Sequence, residues 1–340
     1  MDVPDSIQRA RIRPPGPEID VHDKSAGPPR DPSSAARAMR AQAANRYQTF
    51  VSSGSTAGAA LDPCHDFGAP HHDYDQCVSA HVDNPVLFKW QGADAEPIDS
   101  KDVQQGGLGD CHYLAVLAAM AATPQGRAYL NRSLVENKND VGNVVSWTVT
   151  LHERDKLHFL SARFHDVQVT VREPFAIGHA RVRPGGGPTE VWPLVIEKAC
   201  AQYAGGYNRI GHGGAPAEAM AVLTGRAPTY TSFSWPARCF KSYGAVDLQR
   251  DLASGKLVVL TTNAGIGAPL GPDSTPAQRR ANADAHGLLE GHAYFATGIE
   301  EHDGTSFVRL GNPWGDVQPD LVPCDELRKW FSGVTVGTIP

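Results

Sequence analysis

The stretch Gln105-Gly106-Gly107-Leu108-Gly109-Asp110-Cys111 decides how the rest of the chain is read. Three glycines within four positions permit tight turns and the close approach of a second backbone segment. Directly beyond, the pattern becomes helical: Leu108, Leu114, Leu117 and Met120 lie in an alanine-rich apolar run that ends near Thr123-Pro124. Cys111 is therefore expected at a helix start, where unpaired N–H groups and the positive end of the dipole favour thiolate, the reactive form. Gln105, on the same loop, has the reach to donate a hydrogen bond to an oxyanion. A lone cysteine beside a glycine-rich turn is more often a small buried apolar residue, so a chemical role needs partners elsewhere.

Such partners occur far downstream. Gly291-His292-Ala293-Tyr294 opens a strand that leads to Glu301-His302-Asp303-Gly304, and the return strand ends at Gly311-Asn312-Pro313-Trp314-Gly315. A three-residue hairpin loop centred on Asp303, with Gly304 left-handed, is a favoured geometry. Counting outward from it sets Asn312 opposite Tyr294, two residues from His292 and on the same side of the sheet. An Asn there holds the imidazole in one tautomer and leaves the other nitrogen for a thiol. Any one of the fourteen histidines is more simply structural. A helix-start Cys with a His and an Asn on one hairpin is far harder to obtain by chance.

Around these motifs the chain reads as an α+β protein. Residues 144–151 and 157–171 alternate or are β-branched, as strands do. Residues 192–203, with Leu194, Val195, Ala199 and Tyr203 on one face, and residues 217–223 read as helices. Beyond Thr229 the pattern is mainly β, with strands at 256–262, 293–299 and 306–310 and a polar loop or short helix at 272–285. The expected division is a largely disordered low-complexity leader over 1–80, a helical lobe over 81–228 carrying Cys111, and a β lobe over 229–340 carrying His292 and Asn312. Within the leader, a short helix is expected near 33–47 and a flexible Gly/Ser/Ala link at 52–58. Residues 62–77 are dense in Cys, His and Asp, but their spacing matches no common zinc pattern, and a surface loop is expected.

Composition narrows the function classes. The 340 residues are 41% hydrophobic and 20% charged, as in soluble globular proteins with room for two modest lobes. A net charge of −6 without a basic block argues against nucleic-acid binding. No apolar run approaches the roughly 20 residues needed to cross a bilayer, and the N-terminus has no secretory apolar stretch. The compartment stays open. Cys64, Cys77, Cys111, Cys200, Cys239 and Cys324 are too scattered for a disulfide framework, so reduced thiols are expected.

On these residues the sequence resembles the calpain family of cysteine proteases. Gln105 to Cys111 is similar to its active-site signature, Gly291 to Tyr294 to its catalytic-His segment, and Asn312 to Gly315 to its catalytic-Asn segment. Residues 192–201 resemble the helix that ends its first lobe. All four stand in family order, from about residue 85 to the C-terminus. The resemblance implies a papain-like core in which Cys111 is the nucleophile, His292 the base and acid, and Asn312 the group that orients it. Gln105 becomes an oxyanion donor, and Trp314 shields the His–Asn hydrogen bond from water. It implies an endopeptidase that cleaves protein substrates through a thioester acyl-enzyme. Two departures stand out: His112 replaces the usual tryptophan, and the chain ends at residue 340, without room for the C-terminal modules of large animal calpains.

The resemblance also implies a calcium site in the first lobe, built from Asp102, nine residues before Cys111, and Glu197. Solvated charges or salt-bridge partners are the plainer reading of both. In the second lobe Gln318 replaces the first expected carboxylate, so at most one calcium ion is expected and no cofactor is required. Two rival functions are an inactive calpain-fold binding module and a papain-like acyl transferase. Single-site labelling by a thiol reagent separates the first. The second usually pairs its His with Asp, where this chain has Asn312.

Overall fold

The structure, a computed structural model, describes residues 73–76, 78–89, 97–155, 163–176, 180, 188–233, 243–263, 286–315 and 318–340. The expected helix near 33–47, the link at 52–58, the segment 272–285 and most of 62–77 lie outside the described residues.

A short helical turn at Tyr74–Gln76 precedes strand β1 (Val78–Ala80), and β2 (Pro85–Val86) follows. The glycine-rich motif 105–111 then runs into helix α1 (Cys111–Ala121), whose residues from His112 onward are all buried. A helix apolar all round belongs at the centre of a fold, and α1 packs against three other helices and against a sheet from the second half of the chain. Helix α2 (Pro124–Ser133) follows at once. The Thr123 hydroxyl accepts the Gly126 N–H at 3.0 Å, and Pro124 occupies the first turn. Thr123-Pro124 thus ends one helix and also starts the next, because Pro at a first helical position gives up only an N–H with no partner there.

Strands β3 (Leu134–Lys138), β4 (Val144–Arg154) and β5 (Phe164–Val171) form an antiparallel sheet within this helix-rich half. Next, β6 (Phe175–Ala176) pairs with β1, and β7 (Thr189–Glu190) runs parallel to β2. Helix α3 (Trp192–Ala204) stops at Gly205, left-handed at φ +96°. Helix α4 (Pro216–Thr224) completes the region.

The second half holds β8 (Thr229–Ser232), helix α5 (Ala245–Ala253), β9 (Leu257–Thr262), β10 (Ala293–His302), β11 (Thr305–Gly311), β12 (Val322–Pro323) and β13 (Phe331–Gly337). These strands make a six-stranded antiparallel sheet in the order β12-β11-β10-β9-β13-β8. Alternation along the central strands divides the core. Leu257, Val259, Ala293 and Phe295 join the cluster containing α1, whereas Val258, Leu260, Tyr294 and Ala296 face the second cluster. Helix α5 was not expected in this β-rich stretch. Its buried Leu248 and a Gly244 N–H held by Asp247 at 3.3 Å explain it.

Two expectations need correction. Packed structure begins before residue 80: Tyr74, 2% exposed, belongs to the first core cluster. One aromatic anchor in a polar segment is too little for composition to register. The hairpin loop has two residues, not three, with φ of +50° at Asp303 and +77° at Gly304. A bulge then intervenes, since Ala296 pairs with Leu310 but Gly298 pairs with Arg309. Extending the register past Phe295–Gly311 sets Asn312 opposite Tyr294, as expected, because bulge and shorter loop offset each other.

A Cβ added at Gly311 would lie 2.1 Å from the Phe295 ring. Gly311→Ala should therefore cost about 1–3 kcal/mol in urea unfolding, and Phe295→Leu in the same chain should recover part of it. An unchanged midpoint for the single variant would show that the ring yields freely.

Candidate active site

Cys111 is the first residue of α1, with Asp110 fully buried before it. The residue keeps partial exposure, yet its sulfur is surrounded by protein, and the Ala293 backbone N–H points at it. The residue preceding Ala293 is His292, 5% exposed. Its backbone is pinned by Thr262: the His292 N–H donates to the Thr262 hydroxyl at 2.8 Å, and the Thr262 N–H donates to the His292 carbonyl at 2.9 Å. The imidazole packs between two rings, Tyr294 edge-on at 4.9 Å and Trp314 at 5.2 Å.

His292 Nε2 lies 2.9 Å from Asn312 Oδ1, which also accepts the Trp314 N–H at 3.0 Å. An oxygen acceptor on that side places the imidazole proton on Nε2 and leaves Nδ1 with a free lone pair. Gln318 closes the turn beneath, accepting the Asn312 N–H at 2.7 Å and donating to the Gly315 carbonyl at 2.5 Å. Gln105 joins the two halves: its N–H donates to the Pro313 carbonyl at 2.7 Å. Its side-chain Nε2 donates to the Leu108 carbonyl at 2.7 Å, which leaves one N–H of the amide.

Burial sets the charges. It pushes the Cys111 thiol up to about 11, and the neighbouring Asp110 adds to the rise. The N–H groups of Ala293, His112 and Cys111 itself pull the other way, as a helix start should, but desolvation outweighs them. Cys324 is likewise pushed up to about 11 and the buried Cys200 higher still. Burial drives His292 down to about 4 against the opposing Asn312 bond. The pair is thus neutral thiol and neutral imidazole near neutral pH, not the standing thiolate suggested by helix position alone. His112 is also neutral, held near 4 by burial, and packs against Gly214, where an added Cβ would meet its Nε2 at 2.3 Å.

Behind Cys111 lie two carboxyls that must be considered together. Asp110 is 0% and Glu197 1% exposed. The Ala180 N–H reaches both Glu197 oxygens, at 2.8 and 3.0 Å, while neither Asp110 oxygen receives a backbone, hydroxyl or amide donor from another described residue. Desolvation raises both groups, and the neighbouring Asp110 charge adds to the rise at Glu197.

Glu197 is therefore engaged with Asp110 and Ala180. Asp102 Oδ2 accepts the Asp99 N–H at 2.7 Å in a capping box. No cluster of three or more His, Cys, Asp or Glu side chains suited to a metal ion occurs among the described residues. Asp102 and Glu197, the two residues expected to hold calcium, thus each accept a protein N–H, and no step below passes through calcium. Three contributors to the site escaped the sequence reading, namely Thr262, Tyr294 and Gln318. Only Tyr294, inside the quoted motif, carried a local signal.

Two outcomes follow from these charges. Alkylation of Cys111 by iodoacetamide should rise about tenfold per pH unit between pH 7 and 9; a rate already flat below pH 7 would reveal a standing thiolate. The raised carboxyls contribute stability that is complete below the ordinary carboxylate range and is lost as pH rises through their folded values. Asp110→Asn should flatten that decline in urea midpoints between pH 4 and 8, and a decline of unchanged slope would show that Asp110 is not raised by burial.

Comparison with known proteins agrees with the motifs. The model of the calpain family cysteine protease domain matches residues 84–333. Calpain clp-4 of Caenorhabditis elegans is 29% identical over 223 residues, which is 63% of this chain and 27% of that protein. The human calpain-2 catalytic subunit is 28% identical over 225 residues, 64% of this chain and 28% of the subunit. The calpain-type cysteine protease DEK1 of Zea mays is 27% identical over 226 residues, 64% of this chain and 9% of that protein. The match thus spans less than a third of each relative's length. With its family domain over 84–333, the chain belongs to the calpain family of cysteine proteases.

Proposed function

We propose that this protein is an endopeptidase that hydrolyses protein substrates through a thioester on Cys111, within a papain-like two-lobed core. The observation that carries the reading is the 2.9 Å contact between His292 Nε2 and Asn312 Oδ1, on a hairpin whose next amide, Ala293 N–H, faces the Cys111 sulfur. With Nε2 committed to Asn312, Nδ1 takes the thiol proton as sulfur attacks the scissile carbonyl. Charge then forms only as the reaction proceeds, in a water-poor site where each polar contact counts for more. The Cys111 N–H and the remaining Gln105 amide N–H hold the developing oxyanion. The imidazolium returns its proton to the leaving amine. Water, deprotonated by His292, attacks the thioester and releases the acid and the thiol. Trp314 and Tyr294 keep the ring in place and bulk water away from it.

Cys111→Ala should abolish the new N-termini that the intact chain generates in a proteome digest. His292→Ala should remove nearly all turnover, whereas Asn312→Ala should retain a residual rate, since it orients the base without carrying the proton. Equal activity of His292→Ala and the parent would end this mechanism. A parent with no new N-termini would favour the non-catalytic binding module, and amide exchange without hydrolysis would favour the acyl transferase.

A further inference from the structure

We infer that the short segment carrying Asp73, Tyr74 and Asp75 is a strap that positions the nucleophile loop through the chain between residues 206 and 213. The role assigned to the strap rests on Cys111 being the nucleophile.

The strap holds the loop by side chain and backbone together. The Tyr74 N–H donates to Asn208 Oδ1 at 2.7 Å, and Asn208 Nδ2 donates to Asp73 Oδ1 at 2.6 Å. Asp75 Oδ1 accepts the Tyr207 N–H at 2.5 Å. The Tyr74 ring is 2% exposed and lies 4.9 Å from the His212 ring. Glycines make the fit. A Cβ at Gly206 would meet the Asp75 carboxylate at 2.6 Å, and one at Gly211 would meet the Tyr74 ring at 2.6 Å.

The held loop in turn grips the residue two before the nucleophile. The Gly109 N–H donates to the Gly211 carbonyl at 2.7 Å, and the Gly213 N–H donates to the Gly109 carbonyl at 2.9 Å. A Cβ at Gly109 would stand 2.4 Å from the Gly211 oxygen, so the two backbones are at closest approach. Both hydrogen-bonding groups of Gly109 are thus occupied by the loop that the strap holds. Cys111 is two peptide units further on, too near for Gly109 to shift without moving the sulfur. Displacements on the order of 1 Å in such a position cost up to about a hundredfold in rate. The strap belongs to the end of the low-complexity stretch, so a segment that contributes little apolar area acts on the site through three hydrogen bonds and one ring.

The test uses the full chain with Asp75→Ala, with Asp75→Asn as the conservative variant that keeps an oxygen facing the Tyr207 N–H. A core variant remote from the strap, Val149→Ala in β4, serves as control once its urea midpoint shows a comparable or larger loss. Hydrogen exchange is followed at the Gly109 and Gly213 amides, together with the alkylation rate of Cys111 and kcat and KM on a protein-derived peptide. Asp75→Ala should speed exchange at both glycine amides by about tenfold relative to the control. It should lower kcat by about tenfold with KM within twofold, and Asp75→Asn should stay near the parent. Unchanged exchange at Gly109 and Gly213, or an equal rise in the control, overturns the strap. Faster exchange with kcat and the Cys111 alkylation rate both unchanged overturns its positioning role. Should the parent show no peptidase activity, the proposed function fails separately, and exchange with Cys111 alkylation still decides the strap.

Discussion

A backbone hydrogen bond, Gln105 N–H to the Pro313 carbonyl at 2.7 Å, joins the loop before Cys111 to the turn after Asn312. The two segments are far apart in sequence and belong to opposite halves of the fold, so the relative position of Cys111 and the His–Asn pair depends on such cross-ties. Helix α1 supplies the broad contact, packing its apolar surface on β9 and β10. Packing alone fixes position loosely, and directional bonds at the edge of the contact set the last fraction of an ångström. Pro313 suits this role, because proline lacks an N–H but presents its carbonyl from a restricted backbone.

The charge state of the site follows from that close fit. Bringing the halves together removes water from the sulfur and the imidazole, and the cost falls on charged forms. The same burial raises the Asp110 and Glu197 carboxyls. Desolvation is thus common to all four groups, and the hydrogen bonds around them moderate it. In the mechanism proposed above, the surrounding groups meet charge that appears during reaction, which is where fixed donors are most effective.

Much of this was legible in the sequence, for identifiable reasons. The glycine-rich motif before Cys111, the His292 and Asn312 segments, and helices α3 and α4 each carry local patterns of period, cap or turn. The Asn312 register came out right from an inexact hairpin, because a bulge near Thr297 is a matter of one residue leaving the ladder and has no distinct spelling. Helix α2 was hidden by reading Pro124 as a stop when Thr123 made it a start. Thr262 and Gln318 act through backbone groups brought near by pairing and turning, and nothing in a linear pattern announces that. The burial of Glu197 beside Asp110 is a product of tertiary packing, and the helical pattern around it does not distinguish a buried carboxyl from an exposed one.

The neutral thiol has a consequence for oxidative chemistry. Peroxide attacks thiolate, and oxidation to sulfenic and sulfinic acids follows thiolate character and access. With the Cys111 thiol held at about 11, the thiolate fraction near pH 7 is roughly a hundredfold or more below that of an ordinary exposed cysteine. The resting sulfur is shielded from oxidants by the same desolvation that delays its ionisation. Under the proposed mechanism, its vulnerability is confined to the moments when a substrate and His292 draw the proton away.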